Sequence, residues 1–532
     1  MKANWVRLLF VGLLLASSAQ AVLTTNSWFL FSGKWEDGTK WSAGVPSLDD
    51  AVNTITNDLS SITVTVDTGT VTQHVINSCM TISNLVVGRA SVISHTLFLN
   101  NANSTPGNIG LTILNRFTIN PTGSLLITNS DLRVTFPAGG LFNDGTVRLN
   151  TGNIVVTNLT VGQTGVGMLT VSNGTLVART VRVAELAGSQ GTLTIAGGTN
   201  SFRSLSAGIT GLTGTVWVTG GQLTVSNEFT SLGGSGVGHM ILSNGTWRGS
   251  VVSIQRGTLT VAGGDHLVTG LRLGGGGGSP DGRVWLLGGS LAVTNTWDFP
   301  GPTNTATILG LSGPGRITVS NGTFWAREMY VGTNTGTGGT LTIAGGTNRL
   351  TSILRVDAGG TVWITDGQLI VTNATTTIGA SGVGQMTVSN GTWRAADVTV
   401  GDAAGSRGTL AIAGGSNTLA SVLKVGNAAG ATGTVWMSGG QLIVTNAQTF
   451  VGITGVGQMT VSNGTWRAGE VDVAYDPGAQ GTLTVAGGTN IVSFGLEVGI
   501  QGGATGAVWV SGGQLIVTNA QTLVLRQSWM QG

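Results

Sequence analysis

The chain has 532 residues, of which 89 are glycine and only 9% are charged, while the hydrophobic fraction is 40%. So much glycine excludes long helices, and low charge beside ordinary hydrophobicity excludes an intrinsically disordered chain. Glycine keeps no three-residue repeat and there are only nine prolines, which excludes collagen and leaves a turn-rich all-β protein.

Residues 1–21 predict an export signal. Lys2 and Arg7 supply the positive start, Leu8 to Ala16 the apolar stretch and Ala19-Gln20-Ala21 a small-residue cleavage site. The apolar run is too short to span a bilayer, and no later run reaches about 20 apolar residues. Loss of Lys2 and Arg7 turns 24 basic against 22 acidic residues into 22 against 22. No net basic field for nucleic acid is therefore expected. Cys79 is the single cysteine, so no intramolecular disulfide is expected despite an oxidising destination.

Residues 22–150 differ from the rest. Trp28, Trp35 and Trp41 cluster with Gly33, Gly38, Gly44 and Pro46, and short β-rich runs such as Ile62–Val66 and Leu85–Gly88 follow. A solenoid needs an atypical end to cover its open core and strand edge, so this region is expected to be an N-terminal β-rich cap. The alternative is a separate carbohydrate-binding module built on the three tryptophans.

From residue 151 to 532 the chain repeats. A Ser-Asn-Gly-Thr turn recurs at nearly even intervals, with its asparagine at Asn173, Asn244, Asn321, Asn390 and Asn463. Between these lie a Gly-Thr-Leu-Thr-Ile-Ala-Gly-Gly phrase, starting at Gly191, Gly257, Gly339, Gly408 and Gly481, and a Gly-Thr-Val-Trp phrase. The tryptophans of the latter are Trp217, Trp285, Trp363, Trp436 and Trp509. All three phrases share one strand-and-turn pattern. The underlying period is thus about 24 residues, a triplet is about 73, and roughly fifteen units lie between 155 and 520.

Each unit alternates apolar and polar residues into an Asn-Gly or Gly-Gly corner, the pattern of a strand with one buried face and a tight turn. One unit alone buries nothing; stacked units share a core. The expected fold is all-β, a right-handed parallel β-helix or β-solenoid about 70 Å long. A β-propeller is the alternative, but its blades of about 40–45 residues match neither period. The stretch from tryptophan to the next repeat asparagine has one length in three copies, but between Trp285 and Asn321 it is about a third longer. The surplus, around Trp297 and Phe299, is expected to form a protruding loop.

The Trp28-to-Pro46 opening followed by Asp49-Asp50-Ala51, and the recurrent Gly-x-Leu-Thr-Val-x-(Asn/Gly)-Gly-Thr unit, resemble the autotransporter-associated β-strand repeat of exported bacterial proteins. The resemblance implies a right-handed β-helical passenger at the cell surface, acting in adhesion or as a stalk, with no catalytic motif to carry over. Such proteins end in a membrane β-barrel, whereas this sequence stops within a fifth triplet near Leu523–Trp529. Release, a membrane-anchoring partner and truncation remain the alternatives.

The chemistry-bearing residues are sparse. Glu185, Glu228, Asp265, Asp357, Asp366, Asp397, Asp402, Glu470, Asp472 and Asp476 are scattered and expected to be solvated surface acids. Asp397 and Asp472 occupy similar places one triplet apart, about 14 Å, too far to act as a catalytic pair. His74, His95, His239 and His266 have no ligand-spaced partners, and the Gly-Gly-x-Gly-x-Asp pattern of calcium-binding β-rolls is missing. No catalytic residue, cofactor or metal is expected. Trp217, Trp285, Trp363, Trp436 and Trp509 have the parity opposite to the expected core residues. They are the candidate ligand-stacking residues if no loop covers them. Trp247, Trp393, Trp466 and Phe324 follow the turn directly, and their facing stays open. The function expected is a non-catalytic structural or adhesin-like secreted or surface protein, with surface glycans or a membrane-anchoring protein as the expected partner. The alternative is a β-helical polysaccharide-binding or polysaccharide-degrading protein.

Overall fold

The computed structural model describes residues 25–73, 80–90, 92–102, 110–134, 139–226, 228–275, 281–294, 306–333, 338–445 and 448–518. The expected export signal, Cys79, His74, the Trp297–Phe299 loop and the Leu523–Trp529 end lie outside these residues. The fold is all-β, with 63% of the described residues in strands, and it winds into a parallel β-solenoid of about 19 turns.

One coil shows the plan. Strand Arg407–Ile412 runs to the Gly414-Gly415 corner, Ser416–Leu419 follows, and after a bend Leu423–Val425 completes the turn. The next coil repeats this as Thr432–Met437, Gln441–Val444 and Gln448–Val451. Each strand pairs in parallel with its counterpart one coil later: Leu410 with Val435, Asn417 with Leu442, and Leu423 with Thr449. Three parallel sheets therefore run the length of the stack, called here the first, second and third in chain order within a coil. Leu410, Ile412, Leu419, Leu423 and Val425 point inward and are fully buried. Alternation at period two thus acts as the sequence pattern implies.

The corner glycines are required twice over. Gly391 has φ +85°, and a Cβ there would lie 2.5 Å from the carbonyl oxygen of Gly367 one coil below. Gly415 has φ +75°, and its Cβ would lie 2.4 Å from the oxygen of Gly391. Left-handed backbone and close coil-to-coil approach both exclude a side chain here.

The stack does not begin at residue 151, and the count of about fifteen coils is corrected to about 19 turns. Ile62–Asp67 pairs with His95–Asn100, which pairs with Gly123–Thr128, which pairs with Thr146–Leu149 and so with Met168–Val171. Residues 25–150 therefore supply coils of the same stack, these strands continuing its first sheet. Their coils are less even in length and lack regular Asn-Gly and Gly-Gly corners, which is why the repeat count misses them. Trp28, Trp35 and Trp41 are buried at this end, with Trp41 edge-on to Trp28 (5.1 Å) and to Trp35 (5.2 Å). Their burial takes all three out of use as the aromatic platform that a separate carbohydrate module would need.

The core explains why the repeat is a triplet. Trp247, Trp393 and Trp466 point inward and are fully buried, and Phe324 is 2% exposed. The second sheet stacks Trp393 on Asn417, Asn417 on Leu442, Leu442 on Trp466, and Trp466 on Asn490. Earlier copies read Phe324, Asn348, Leu369 and Trp247, His266, Leu291. An indole fills more of the coil than its share, so smaller residues must sit on either side. The buried asparagines hold the corners: Asn417 Nδ2 donates to the Gly414 oxygen (3.1 Å) and, one coil on, to the Gln441 oxygen (2.9 Å). His266 takes this place in one copy, with Nε2 2.8 Å from the Gly263 oxygen and Nδ1 accepting from the Trp247 N–H. Burial pushes its pKa down and keeps it neutral.

Trp393→Ala is therefore expected to lower stability by about 3–5 kcal/mol, whereas the exposed Trp436→Ala changes it by less than about 0.5 kcal/mol. Urea unfolding of both variants, followed by circular dichroism, checks this.

Candidate functional site

The five tryptophans of the Gly-Thr-Val-Trp phrase sit on the outward side of the first sheet. Their exposures run from 38% at Trp285 to 64% at Trp509, with Trp217, Trp363 and Trp436 between. In the first-sheet register, Trp363 pairs with Thr342 and Thr387, and Trp436 with Ala411 and Thr460. Each ring is thus three coils from the next, about 14 Å at ordinary strand spacing, and the row of five spans about 58 Å. Small residues fill most of the two coils between rings: Thr258 and Thr260, Thr340 and Thr342, Thr409 and Ala411, Thr482 and Thr484. A ring standing above threonine neighbours presents its face and edge to solvent. The arrangement provides aromatic stacking surface with hydroxyl donors and acceptors beside it, and little charge.

The acids behave differently from one another. Glu185 pairs with Arg182 (3.4 Å) and Glu228 with Arg203 (2.8 Å), both at the surface. Two expected surface acids are instead buried. Asp357, 2% exposed, accepts from the backbone N–H groups of Ala358, Ser381 and Gly382 and from the Ser381 hydroxyl, and pairs with Arg355 at 2.9 Å. Burial alone would raise its pKa; the bonds from Ser381, Arg355 and Gly382 outweigh that and hold it below the usual carboxylate value. It is a corner post that ties one coil to the next.

Asp472 has the opposite balance. It is 2% exposed, its Oδ1 has no hydrogen-bond partner, and Glu497 is its register partner one coil on, with Glu470 two residues before it. Burial first, then the charges of Glu470 and Glu497, push its pKa up to about 7. Sequence reading misses this trio because Glu497 lies a coil away; the offset of one repeat period between Asp472 and Glu497 is the signal that could reveal it. Glu470, rather than Asp472, is the counterpart of Asp397 one triplet on, since each lies four residues after its buried tryptophan, Trp466 or Trp393. A carboxyl whose pKa is raised to near neutrality has the property of a general acid. Asp472 is nevertheless enclosed, and no substrate bond reaches it without displacing what surrounds it.

His95 is fully buried with Nε2 2.9 Å from the Asn57 oxygen, and His239 is half-buried on the outward first-sheet face. Among the described residues no group of three or more His, Cys, Asp or Glu is arranged to hold a metal ion, and no helix is long and apolar enough to cross a membrane. Comparisons with family models, with characterised proteins and with solved structures gave no match.

The two buried acids give opposite pH dependences. The folded-state pKa of Asp472, about 7, lies above the ~3.9 of an unfolded aspartate. Its protonated form therefore supports the fold fully below pH ~4, and that support is lost as pH rises to about 7 and stays lost above. Hydrogen exchange of 465–498 should accelerate between about pH 4 and 7 beyond the intrinsic rate and level off above, and Asp472→Asn should flatten the trend. For Asp357 the sign reverses: its stabilisation is present above pH ~4 and fades as pH falls below. Asp357→Ala should cost about 1–3 kcal/mol at neutral pH, read as faster proteolysis around 357–382.

Proposed function

We propose that the chain is an exported, non-catalytic β-solenoid that serves as a cell-surface or extracellular structural protein and adheres to surface glycans through its row of tryptophans. The observation that carries this reading is the five outward rings at a constant three-coil interval on a hydroxyl-rich sheet face. Sugar rings present C–H faces to an aromatic and hydroxyls to threonine, so a long glycan matches such a surface at several points at once. Repeated weak contacts along one rigid rod add avidity without a deep pocket. The export signal at 1–21 and the resemblance to autotransporter-associated repeats support the same setting, with a membrane-anchoring partner as the means of retention. In this reading the solenoid is right-handed, like nearly all parallel crossovers, and the buried Trp28–Trp35–Trp41 cluster is its N-terminal cap.

Among the described residues, the paired acids needed for glycoside cleavage are lacking on the tryptophan face, which favours binding over degradation. Glycan-array binding by the full chain is expected, and Trp363→Ala/Trp436→Ala should reduce it at least tenfold with the circular dichroism spectrum unchanged. Undiminished binding in that variant would remove the tryptophan row from the account. Release of reducing ends from a bound polysaccharide would replace adhesion with catalysis.

A further inference from the structure

The outward first-sheet face carries few charges, and two of them converge at Trp285. Arg283 lies two residues before Trp285 in strand Gly282–Leu286, so both side chains leave the same face. Arg316 is the register partner of Arg283 one coil on. The two guanidiniums share one carboxylate, with Arg316 Nε 2.8 Å and Arg283 Nη2 3.4 Å from Asp281 Oδ2. Two cations against one anion leave a surplus positive charge. At Trp363 and Trp436 the equivalent positions are Thr361 and Thr434, with Gln385 and Gln458 on the following coils.

A cavity of about 170 Å³ opens here, lined by Trp285, Arg283, Arg316 and the outward threonines Thr318, Thr340 and Thr342. It is smaller than the ~300–1,000 Å³ of drug-sized sites, so it suits one sugar unit within a chain. An indole edge, three hydroxyls and a surplus guanidinium select a flat body that carries a carboxylate. We propose that this is an acidic subsite of the glycan face, which takes a uronic acid unit of a polysaccharide, with its carboxylate on the Arg283–Arg316 pair and its ring against Trp285. The inference rests on the glycan reading above and adds the charge of the ligand.

The test titrates the full chain with polygalacturonate and with a neutral galactan, at low and physiological salt, by calorimetry. Polygalacturonate should bind about tenfold more tightly than galactan, and salt should erode only that advantage. Arg283→Ala/Arg316→Ala should remove the advantage, a loss of about tenfold, and leave galactan binding intact. Arg283→Gln/Arg316→Gln, with an unchanged thermal midpoint, guards against a folding defect. Equal binding of the two polymers, or a preference that survives both double variants, overturns the acidic subsite alone. If neither polymer binds, the subsite is overturned; if no glycan on the array binds either, the wider adhesion reading falls with it.

Discussion

Everything in this molecule follows from the backbone hydrogen bonds that hold each coil on the last at about 4.8 Å. That spacing places every side chain above its counterpart one coil earlier, inside and outside alike. Inside, the column must share a fixed volume, so Trp393, Asn417 and Leu442 take turns. At the corners the same closeness leaves no room for a Cβ at Gly391 or Gly415. Outside, the constraint spaces Trp363 and Trp436 without any contact between them. Glycine abundance, buried asparagine and the aromatic row are three results of one repeat distance.

The constraint also decides what happens to charge. A carboxylate in the stack survives only if neighbouring coils supply donors. Asp357 receives them from Ala358, Ser381 and Gly382 and from Arg355, so its ionised form is favoured despite burial. Asp472 is buried and meets Glu497 one coil on, so its ionised form is disfavoured and its pKa is pushed up to about 7. The interior column is not fully satisfied either: Trp393 Nε1 and Asn417 Oδ1 have no partner. Packing of an indole face against its neighbours therefore outweighs a lost hydrogen bond at this level.

The architecture is legible in the sequence because a solenoid writes its geometry as a period. Asn390-Gly391 and Gly414-Gly415 mark the corners, and the opposite parities of Leu410 and Ala411 mark the two faces. That parity alone places Trp436 outward. It leaves Trp393 and Trp466 unassigned, because a glycine corner immediately before them resets the alternation, and only inter-coil register shows which way they point. Residues 25–150 escape the count for a related reason: Ile62–Asp67 and His95–Asn100 stack in register although their corners share no motif. The carboxylate trio and the Arg283–Arg316 pair stay hidden for lack of a coil-to-coil alignment. Their members are neighbours across hydrogen bonds, not along the chain.

The second triplet shows which features the fold conserves. Gly238 pairs with Gly257 across a shortened coil, while Gly282 pairs with Gly315 across a lengthened one. Yet the interior still reads Trp247, His266, Leu291 and then Phe324, and the exterior tryptophan still falls at Trp285, three coils from both Trp217 and Trp363. Residues are gained or lost at the corners, where a loop can grow outward, but never as one whole coil. A single extra coil would put the wrong sizes side by side in the core and shift every later ring along the face. The inner and outer periods are locked because Trp363 and Leu369 belong to one coil and Trp393 to the next. Growth by whole triplets preserves core volume and the interval between rings together, so the tryptophan face inherits its regularity from packing.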